Sequence, residues 1–433
     1  MSVKSFSTNT AISIVIANMI GTGVFTSLGF QLLDIQSAPV ILWLWVVGGV
    51  LALCGALCYA ELGAALPRSG GEYNFLTRIY HPAAGFISGW ISATIGFAAP
   101  TALAAITSAT YLNAVYPIVP VSGAAAMLVL VIGVVHLGSR QGSARFQLVF
   151  TGAKLALIGL FIIAAWWQVE QLQAVRWVPV IADLSLVTSG AFAIALIYVN
   201  YAYTGWNAAT YLVGEVHNGA RDLPRILIVG TAIVMGVYLL LHVMFLSVAP
   251  MAEIRGHLEV GYVVAEFAFG EAGSAVVGLL LAILLVSTVS AMVLAGPRAL
   301  QVIGQDFKAL KWLARENKHG VPVVAICFQT MVTLILVLTS TFDAILVFAS
   351  FILALNTLLT VIGVWVLRLR MPSLARPFKM PWYPWPMLIY VLITLWTLIF
   401  VVFERPQEAL FGVFVIGSGW LFYLVSRDRV DEP

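Results

Sequence analysis

Long apolar stretches alternate with short polar segments along the whole chain of 433 residues. Most of these stretches approach or exceed the roughly 20 residues that a helix needs to cross a bilayer. The pattern therefore predicts an all-α integral membrane protein with twelve transmembrane helices. We place these spans at about 9–33, 38–66, 83–114, 121–137, 146–168, 187–214, 226–249, 271–297, 321–340, 343–367, 384–403 and 408–426.

The first span carries an interruption near its centre, in residues 20–25 (IGTGVF). Gly21 and Gly23 flank Thr22, and glycines weaken a helix. At bilayer depth, unwound backbone is tolerated only where it lines a cavity or is buried in protein. The freed N–H groups would suit a carboxylate and the freed carbonyls a cation. An amino acid carries both charges on one carbon, so we interpret this break as a candidate amino-acid site.

The sixth span has a similar interruption in residues 201–207 (YAYTGWN). It follows the first span by five spans, so the topology of spans one to five is inverted in spans six to ten. Paired interrupted helices in inverted halves are typical of secondary transporters that bind substrate near the bilayer midplane. In the alternative interpretation, each glycine only allows two helices to pack closely.

The composition and the charge distribution support this interpretation. The chain is 61% hydrophobic and only 9% charged, whereas a soluble domain has roughly 25% charged residues. Of the 22 Lys and Arg residues, 18 fall in loops on the side of the N-terminus and three in the opposite loops. The positive-inside rule therefore predicts that both termini are cytoplasmic.

The remaining basic residue, Lys154, lies inside the fifth span. It is about 12 Å from the start of that span, too deep for easy snorkelling to the surface. The partners we expect are main-chain carbonyls of the first break and hydroxyls of span eight (Ser287, Thr288 and Ser290). A sodium ion would bind the same oxygens, so we predict that the ammonium replaces it. The alternatives are a snorkelling lysine on a tilted helix and a lysine that cycles a proton.

Other chemistries find little support in the sequence. The three cysteines lie in apolar segments without the spacing of a metal site. The Gly21–Gly23 pair has no βαβ unit around it, which excludes a dinucleotide-binding site, and no ATP-binding glycine loop occurs. The single histidine of span seven, His242, is typical of helix packing. We expect no enzyme activity, no cofactor, no metal and no nucleic-acid partner.

Three of the polar loops contain distinctive sequence motifs: PRSGGEY (67–73), GEVHNGARDLP (214–224) and RPFKMP (376–381). Together with IGTGVF, AYTGWN and the span-five lysine, they resemble the amino acid–polyamine–organocation (APC) permeases. Within that superfamily the chain is most similar to L-type amino-acid transporters and to bacterial alanine–serine–cysteine exchangers. The resemblance implies a five-plus-five inverted-repeat (LeuT-like) fold with discontinuous helices one and six and two further C-terminal helices. It also implies rocking-bundle alternating access.

The resemblance also implies roles for individual residues. Thr22 and Gly23, with Val24 beside them, should offer N–H groups or a hydroxyl to the substrate carboxylate, and Gly21 belongs to the same substrate site. The substrate ammonium should bind the carbonyls of Ile20, Tyr201 and Thr204, and Gly205 belongs to the same substrate site. Tyr201 matches the aromatic lid on the outer side, and Lys154 matches a gating lysine at the former sodium position. Asn207 stands where relatives place a polar or acidic residue, and its neutrality disfavours cationic substrates.

We therefore predict a single transmembrane transporter domain spanning residues 1–433. Repeat one covers about 7–168, repeat two about 187–367, and the last two helices about 384–426. The expected function is sodium-independent exchange or facilitated transport of small to medium neutral L-amino acids across a bacterial inner membrane. The alternatives are a proton-coupled symporter with Lys154 as the proton carrier and, more remotely, a multi-span receptor or channel. Animal L-type transporters pair with a single-span heavy chain through a cysteine between spans three and four. Residues 115–120 (VYPIVP) lack that cysteine, so the resemblance implies no disulfide-linked heavy chain here.

Overall fold

The computed structural model describes residues 7–68, 70–117, 120–138, 143–211, 213, 216, 218–318 and 320–426, and its regular elements over these residues are all helical. The α-helices in chain order are α1 Thr8–Met19, α2 Gly23–Gln31, α3 Ala38–Ala65, α4 Gly71–Ile79, α5 Pro82–Ile91, α6 Ala98–Val115, α7 Val121–His136, α8 Ser143–Gln168, α9 Ile181–Val187, α10 Gly190–Tyr203, α11 Gly219–Val248, α12 Met251–Ile254, α13 Val260–Asp306, α14 Val323–Thr339, α15 Phe342–Arg370, α16 Trp385–Glu404 and α17 Pro406–Ser426. A π-helical turn, Ser92–Gly96, joins α5 to α6, and 3₁₀ segments follow α10 (Trp206–Tyr211) and α13 (Lys308–Ala314).

Many of these helices are long and apolar enough to cross a membrane. Among the described residues there are eight such spans, or nine if α9 and α10, bent by 64°, form one. Three shorter apolar helices, Val121–His136, Gly152–Gln168 and Val323–Thr339, coincide with the predicted spans four, five and nine. The protein is thus an all-helical, multi-pass membrane protein.

The first span is divided into two helices by its glycines. Ser7 caps α1 by accepting a hydrogen bond from the amide of Thr10, and α1 ends at Met19. Ile20 takes a non-helical ψ of 86°, and helical structure resumes at Gly23 as α2. The sequence predicted an interruption here, and the structure has one.

The sixth span is interrupted in the same way. Helix α10 ends at Tyr203, Thr204 is extended with ψ 148°, and Gly205 has a φ of +102°. The left-handed φ requires glycine because a Cβ atom would clash with the backbone. The chain continues as the 3₁₀ segment Trp206–Tyr211 rather than as an α-helix.

Helices from the two predicted repeats pack against their counterparts. Helix α3 (span two) lies along α11 (span seven), and α6 (span three) lies along α13 (span eight). Helix α7 (span four) contacts α14 (span nine), while α1 and α2 contact the 3₁₀ segment and α10 of the broken sixth span. The two broken spans therefore face each other inside the bundle.

One end of the molecule, which we call the basic face, is formed by the C-terminal ends of α3 and α15 and the N-terminal end of α4. The Glu61 carboxylate is buried there and accepts two hydrogen bonds from the Arg368 guanidinium, at 2.8 and 2.6 Å. It also accepts the amide of Met380 at 2.8 Å. The side chain of Arg376 caps α15 by donating to the carbonyls of Leu367 and Met371. The RPFKMP motif thus fixes the α15–α16 loop to the end of α3.

At the opposite end, aromatic rings and an ion pair join the two halves of the chain. The ring of Phe30 is stacked between those of Tyr198 and Phe342, with centroids 5.6 and 5.8 Å away. Next to this stack, Asp343 pairs with Arg405 at 2.8 Å and accepts the hydroxyl of Tyr198. These contacts close the bundle at the end away from the basic face.

Candidate functional site: two interrupted helices around a cavity

The break in the first span leaves bare amide groups. The amide of Gly21 donates to the Met19 carbonyl at 2.8 Å, and that of Phe25 donates to the Thr22 carbonyl at 2.9 Å. No described acceptor pairs with the N–H groups of Thr22, Gly23 and Val24. Three N–H groups at the start of α2 form the positive end of a helix dipole, which favours an anion.

The two glycines of this break have different surroundings. A Cβ atom on Gly23 would lie 2.6 Å from Cα and Cβ of Ala202, so this glycine is required where the first span packs on α10. A Cβ atom on Gly21 would lie 4.0 Å from the Met19 carbonyl oxygen and from the Thr288 methyl, its nearest contacts beyond the adjoining residues, because Gly21 borders the open space described below.

The carbonyls of the second break are partly occupied. The carbonyl of Tyr201 accepts both the amide and the hydroxyl of Thr204, at 3.0 and 2.6 Å. No described residue donates to the carbonyl of Thr204 itself. Of the carbonyls predicted to receive a substrate ammonium, that of Thr204 is therefore the most available. The Tyr201 hydroxyl lies 3.4 Å from the Thr22 hydroxyl, so the two breaks also meet through their side chains.

Lys154 lies beside the first break, as the sequence predicted. Its side chain is buried (6% exposed), and Nζ donates to the carbonyl of Ile20 at 2.9 Å and to the hydroxyl of Thr288 at 3.0 Å. The other two expected hydroxyls point elsewhere. The hydroxyl of Ser287 donates to the Leu284 carbonyl, and that of Ser290 lies 2.9 Å from Nε2 of His136. A serine in a helix often bonds to the backbone of its own preceding turn, which explains Ser287.

Tyr238 of α11 joins the two breaks and was not identified from the sequence. Its hydroxyl lies 2.6 Å from the Met19 carbonyl and 2.9 Å from the Ala202 carbonyl, the last turns of α1 and α10. Its main-chain carbonyl lies 2.7 Å from Nδ1 of His242, whose ring packs at a tilt of 33° on that of Trp45, with centroids 3.8 Å apart. His242 is therefore a packing residue. A tyrosine in an apolar helix carries no signal that would distinguish it from any other buried aromatic residue.

A cavity of about 440 Å³ opens between the two breaks, which is within the range of small-molecule sites. Most of the predicted binding residues line it: Gly21, Thr22, Gly23, Tyr201, Thr204, Gly205, Asn207 and Thr288. Ile20 and Val24 are buried and are not among its lining residues. The lining continues to Glu72 and Arg298, which belong to α4 and to the last third of α13, and so extends towards the basic face.

Glu72 is a second residue that sequence reasoning missed. Its carboxylate is almost fully buried (2% exposed) and accepts hydrogen bonds from Asn207, Tyr211 and Tyr59. The PRSGGEY motif contains this acid directly after a glycine pair, but its place in a polar loop gives no sign that the carboxylate is buried. Of the GEVHNGARDLP motif, positions 214, 215 and 217 lie outside the described residues, and its second half forms the start of α11 at Gly219.

A multi-pass helical protein whose two interrupted helices enclose a small-molecule cavity has the construction of a membrane transporter. The family model for amino acid permeases matches residues 6–423. The chain therefore belongs to the amino acid permease family of the APC superfamily. As the family is one of transporters, we describe the protein as an amino-acid transporter.

Individual relatives agree with this assignment. The chain is 29% identical over 425 residues to the human b(0,+)-type amino acid transporter 1, covering 96% of this chain and 86% of the relative. It is 28% identical over 426 residues to the rat large neutral amino acids transporter small subunit 2, covering 96% and 79%. It is also 27% identical over 418 residues to the mouse Asc-type amino acid transporter 1, covering 94% and 78%.

Proposed function

We propose that the protein exchanges or facilitates the passage of small to medium neutral L-amino acids without sodium. The observation that carries this proposal is the pair of interrupted helices, which offers bare amide groups and a free carbonyl to one cavity. The cavity volume of about 440 Å³ would accommodate an amino acid of moderate size. The name of one relative, the large neutral amino acids transporter small subunit 2, supports neutral substrates.

The substrate would bind through its charged backbone groups. Its carboxylate would accept hydrogen bonds from the N–H groups of Thr22, Gly23 and Val24 at the start of α2. Its ammonium would donate to the carbonyl of Thr204, because the Ile20 carbonyl already accepts the ammonium of Lys154. Side-chain selection would then depend on the cavity wall around Asn207.

Independence from sodium follows from the position of Lys154. Its ammonium is bonded to one main-chain carbonyl and one hydroxyl, which are oxygens of the type that a hard cation prefers. A fixed positive charge there disfavours a mobile cation at the same oxygens, because like charges repel. We infer that Lys154 takes the place of a coupling cation and links the first span to α8 and α13.

The transport cycle would use the inverted repeats. We infer twelve spans: the nine long ones and the three shorter apolar helices that complete the predicted set. The packing of α3 on α11 and of α6 on α13 supports a pseudo-two-fold relation between the halves. The cavity extends towards the basic face while the Phe30 stack closes the other end, which is the arrangement of a substrate path open to one side.

The orientation and the setting are part of the proposal. Placing the basic face and both termini in the cytoplasm satisfies the positive-inside rule, and we propose the inner membrane of a bacterium as the location. Although one relative is named as a small subunit, we propose that this chain works without a disulfide-linked heavy chain. Two of its three cysteines, Cys54 and Cys58, are buried, and Cys327 lies on α14.

Counter-flow into proteoliposomes tests the proposal directly. Purified protein is reconstituted with unlabelled amino acid inside, and accumulation of labelled amino acids is measured with and without sodium and pH gradients. We expect accumulation of neutral amino acids that is unchanged by sodium and needs no pH gradient. Accumulation that requires sodium would refute the cation-surrogate role, and uptake driven only by a pH gradient would indicate the proton-coupled alternative.

A further inference from the structure

The Glu72 carboxylate is surrounded by neutral hydrogen-bond donors. Oε1 accepts the hydroxyl of Tyr59 at 2.9 Å and the amide Nδ2 of Asn207, and Oε2 accepts the hydroxyl of Tyr211. Within the described residues, no lysine, arginine or histidine forms an ion pair with it. A buried carboxylate of this kind is stabilised by charge-assisted hydrogen bonds rather than by a counter-ion.

The glycine pair before Glu72 makes this arrangement possible. Gly70 and Gly71 have φ values of +127° and +53°, which favour glycine. A Cβ atom on Gly71 would lie 2.7 Å from the ring of Tyr211, so the missing side chain lets that ring reach the carboxylate. Glu72 also lies in the first turn of α4, where the helix dipole favours a negative charge. The glycine pair and the first turn of α4 thus place the carboxylate where it accepts hydrogen bonds from Tyr211 and Asn207.

This contact determines which atom Asn207 offers to the cavity. A carboxylate can only accept hydrogen bonds, so the amide of Asn207 must direct its NH₂ group towards Glu72. The carbonyl oxygen Oδ1 is then the group left to face a ligand, since Asn207 lines the cavity. The negative charge behind the amide polarises it and strengthens Oδ1 as an acceptor.

We propose that Glu72 is a positioning residue for substrate selection: it fixes Asn207 so that the cavity prefers amino acids whose side chain carries a hydrogen-bond donor. The proposal rests on the proposed function, because it assumes that the cavity binds amino acids. The preferred class is small polar side chains with a hydroxyl or amide donor over apolar side chains of equal size.

Threonine and valine provide the matched ligands, because they have nearly the same shape and differ in one hydroxyl group. Each competes with a labelled amino acid in proteoliposome counter-flow, for the wild type and for Glu72→Gln. The wild type should bind threonine at least about fivefold more tightly than valine, the factor expected for one hydrogen bond. Glutamine is isosteric but uncharged and can both donate and accept, so Asn207 is free to turn. The threonine-to-valine ratio should fall about fivefold in the variant, with valine affinity nearly unchanged.

Tyr59→Phe is the control, because it removes another donor to the same oxygen without touching Asn207. Its threonine-to-valine ratio should stay at the wild-type value. Equal losses for both ligands in Glu72→Gln would overturn the proposal, since a purely structural role predicts that result. A wild type that does not distinguish threonine from valine would overturn it without any variant. If no amino acid competes in the wild type, the proposed function itself fails.

Discussion

Replacement of Lys154 by alanine tests the central contact of the proposed mechanism. The ammonium makes two hydrogen bonds, to the Ile20 carbonyl and to the Thr288 hydroxyl, and both are within 3.0 Å. A hydrogen bond to a charged group contributes about 1.5–3 kcal/mol. Loss of the bond that holds the Ile20 carbonyl should therefore slow transport by roughly 10- to 150-fold, if that bond changes during the cycle.

The assay separates transport from binding. Counter-flow in proteoliposomes measures the rate, and ligand-dependent thermal stabilisation of the detergent-solubilised protein measures binding. We expect Lys154→Ala to insert, to keep its substrate-dependent stabilisation, and to lose most net transport. Thr288→Val is the matched control, because it removes only the hydroxyl partner. It should lower the rate by roughly 10-fold, the lower end of the range for one bond to a charged group, because the ammonium keeps its bond to the Ile20 carbonyl.

Two results would contradict this reasoning. Unaltered exchange by Lys154→Ala would exclude a gating role for the ammonium. Complete loss of substrate-dependent stabilisation in Lys154→Ala, but not in Thr288→Val, would instead indicate that Lys154 belongs to the substrate-binding site. A transport rate that follows an imposed pH gradient in the wild type but not in Lys154→Ala would favour the proton carrier.

Three further variants test separate parts of the structure. Gly21→Ala should weaken substrate binding about tenfold or more in competition assays, because the added methyl group enters the cavity. The protein should stay folded, because the methyl group meets its nearest non-adjacent atoms only at 4.0 Å, and an unchanged affinity would place the substrate carboxylate elsewhere. Asn207→Asp should shift competition towards cationic amino acids, because a second carboxylate beside Glu72 needs a positive partner; an unchanged ligand order would refute this. Glu61→Gln should destabilise the protein by about 3 kcal/mol in thermal unfolding, because it leaves Arg368 without its buried partner; an unchanged melting temperature would show that the ion pair is dispensable.

The sequence was sufficient to predict the positions of both helix interruptions and the environment of Lys154. Glycines in the middle of apolar stretches are a local signal, and a lysine at depth needs oxygen partners wherever it lies. Both arguments depend on a few neighbouring residues. The prediction of hydroxyl partners was less exact, since only Thr288 of the three candidates contacts the ammonium. Which face of α13 points to Lys154 depends on helix rotation, and the hydrophobic pattern of a helix buried on most sides does not determine it.

Residues that act across long sequence distances could not be predicted. Tyr238 bridges carbonyls of α1 and α10, and Glu72 accepts a hydrogen bond from Asn207, which is 135 positions away. Neither contact follows from periodicity or from spacing. The register between two packed helices decides such contacts, and many registers bury the same apolar surface. The one local signal for Glu72 is its position directly after Gly70 and Gly71, since a glycine pair indicates a backbone turn that can direct the next side chain into the protein.

The two glycines of the first break show how one motif can combine two physical requirements. In the sequence, Gly21 and Gly23 are equivalent signals of bare backbone that could bind a carboxylate. In the structure, a side chain on Gly23 would collide with Ala202, whereas one on Gly21 would enter the cavity. A large residue at position 23 would therefore separate the two interrupted helices and abolish binding whether or not the carboxylate binds there. Position 21 tests the location of the substrate, and position 23 tests the contact that keeps the two breaks together.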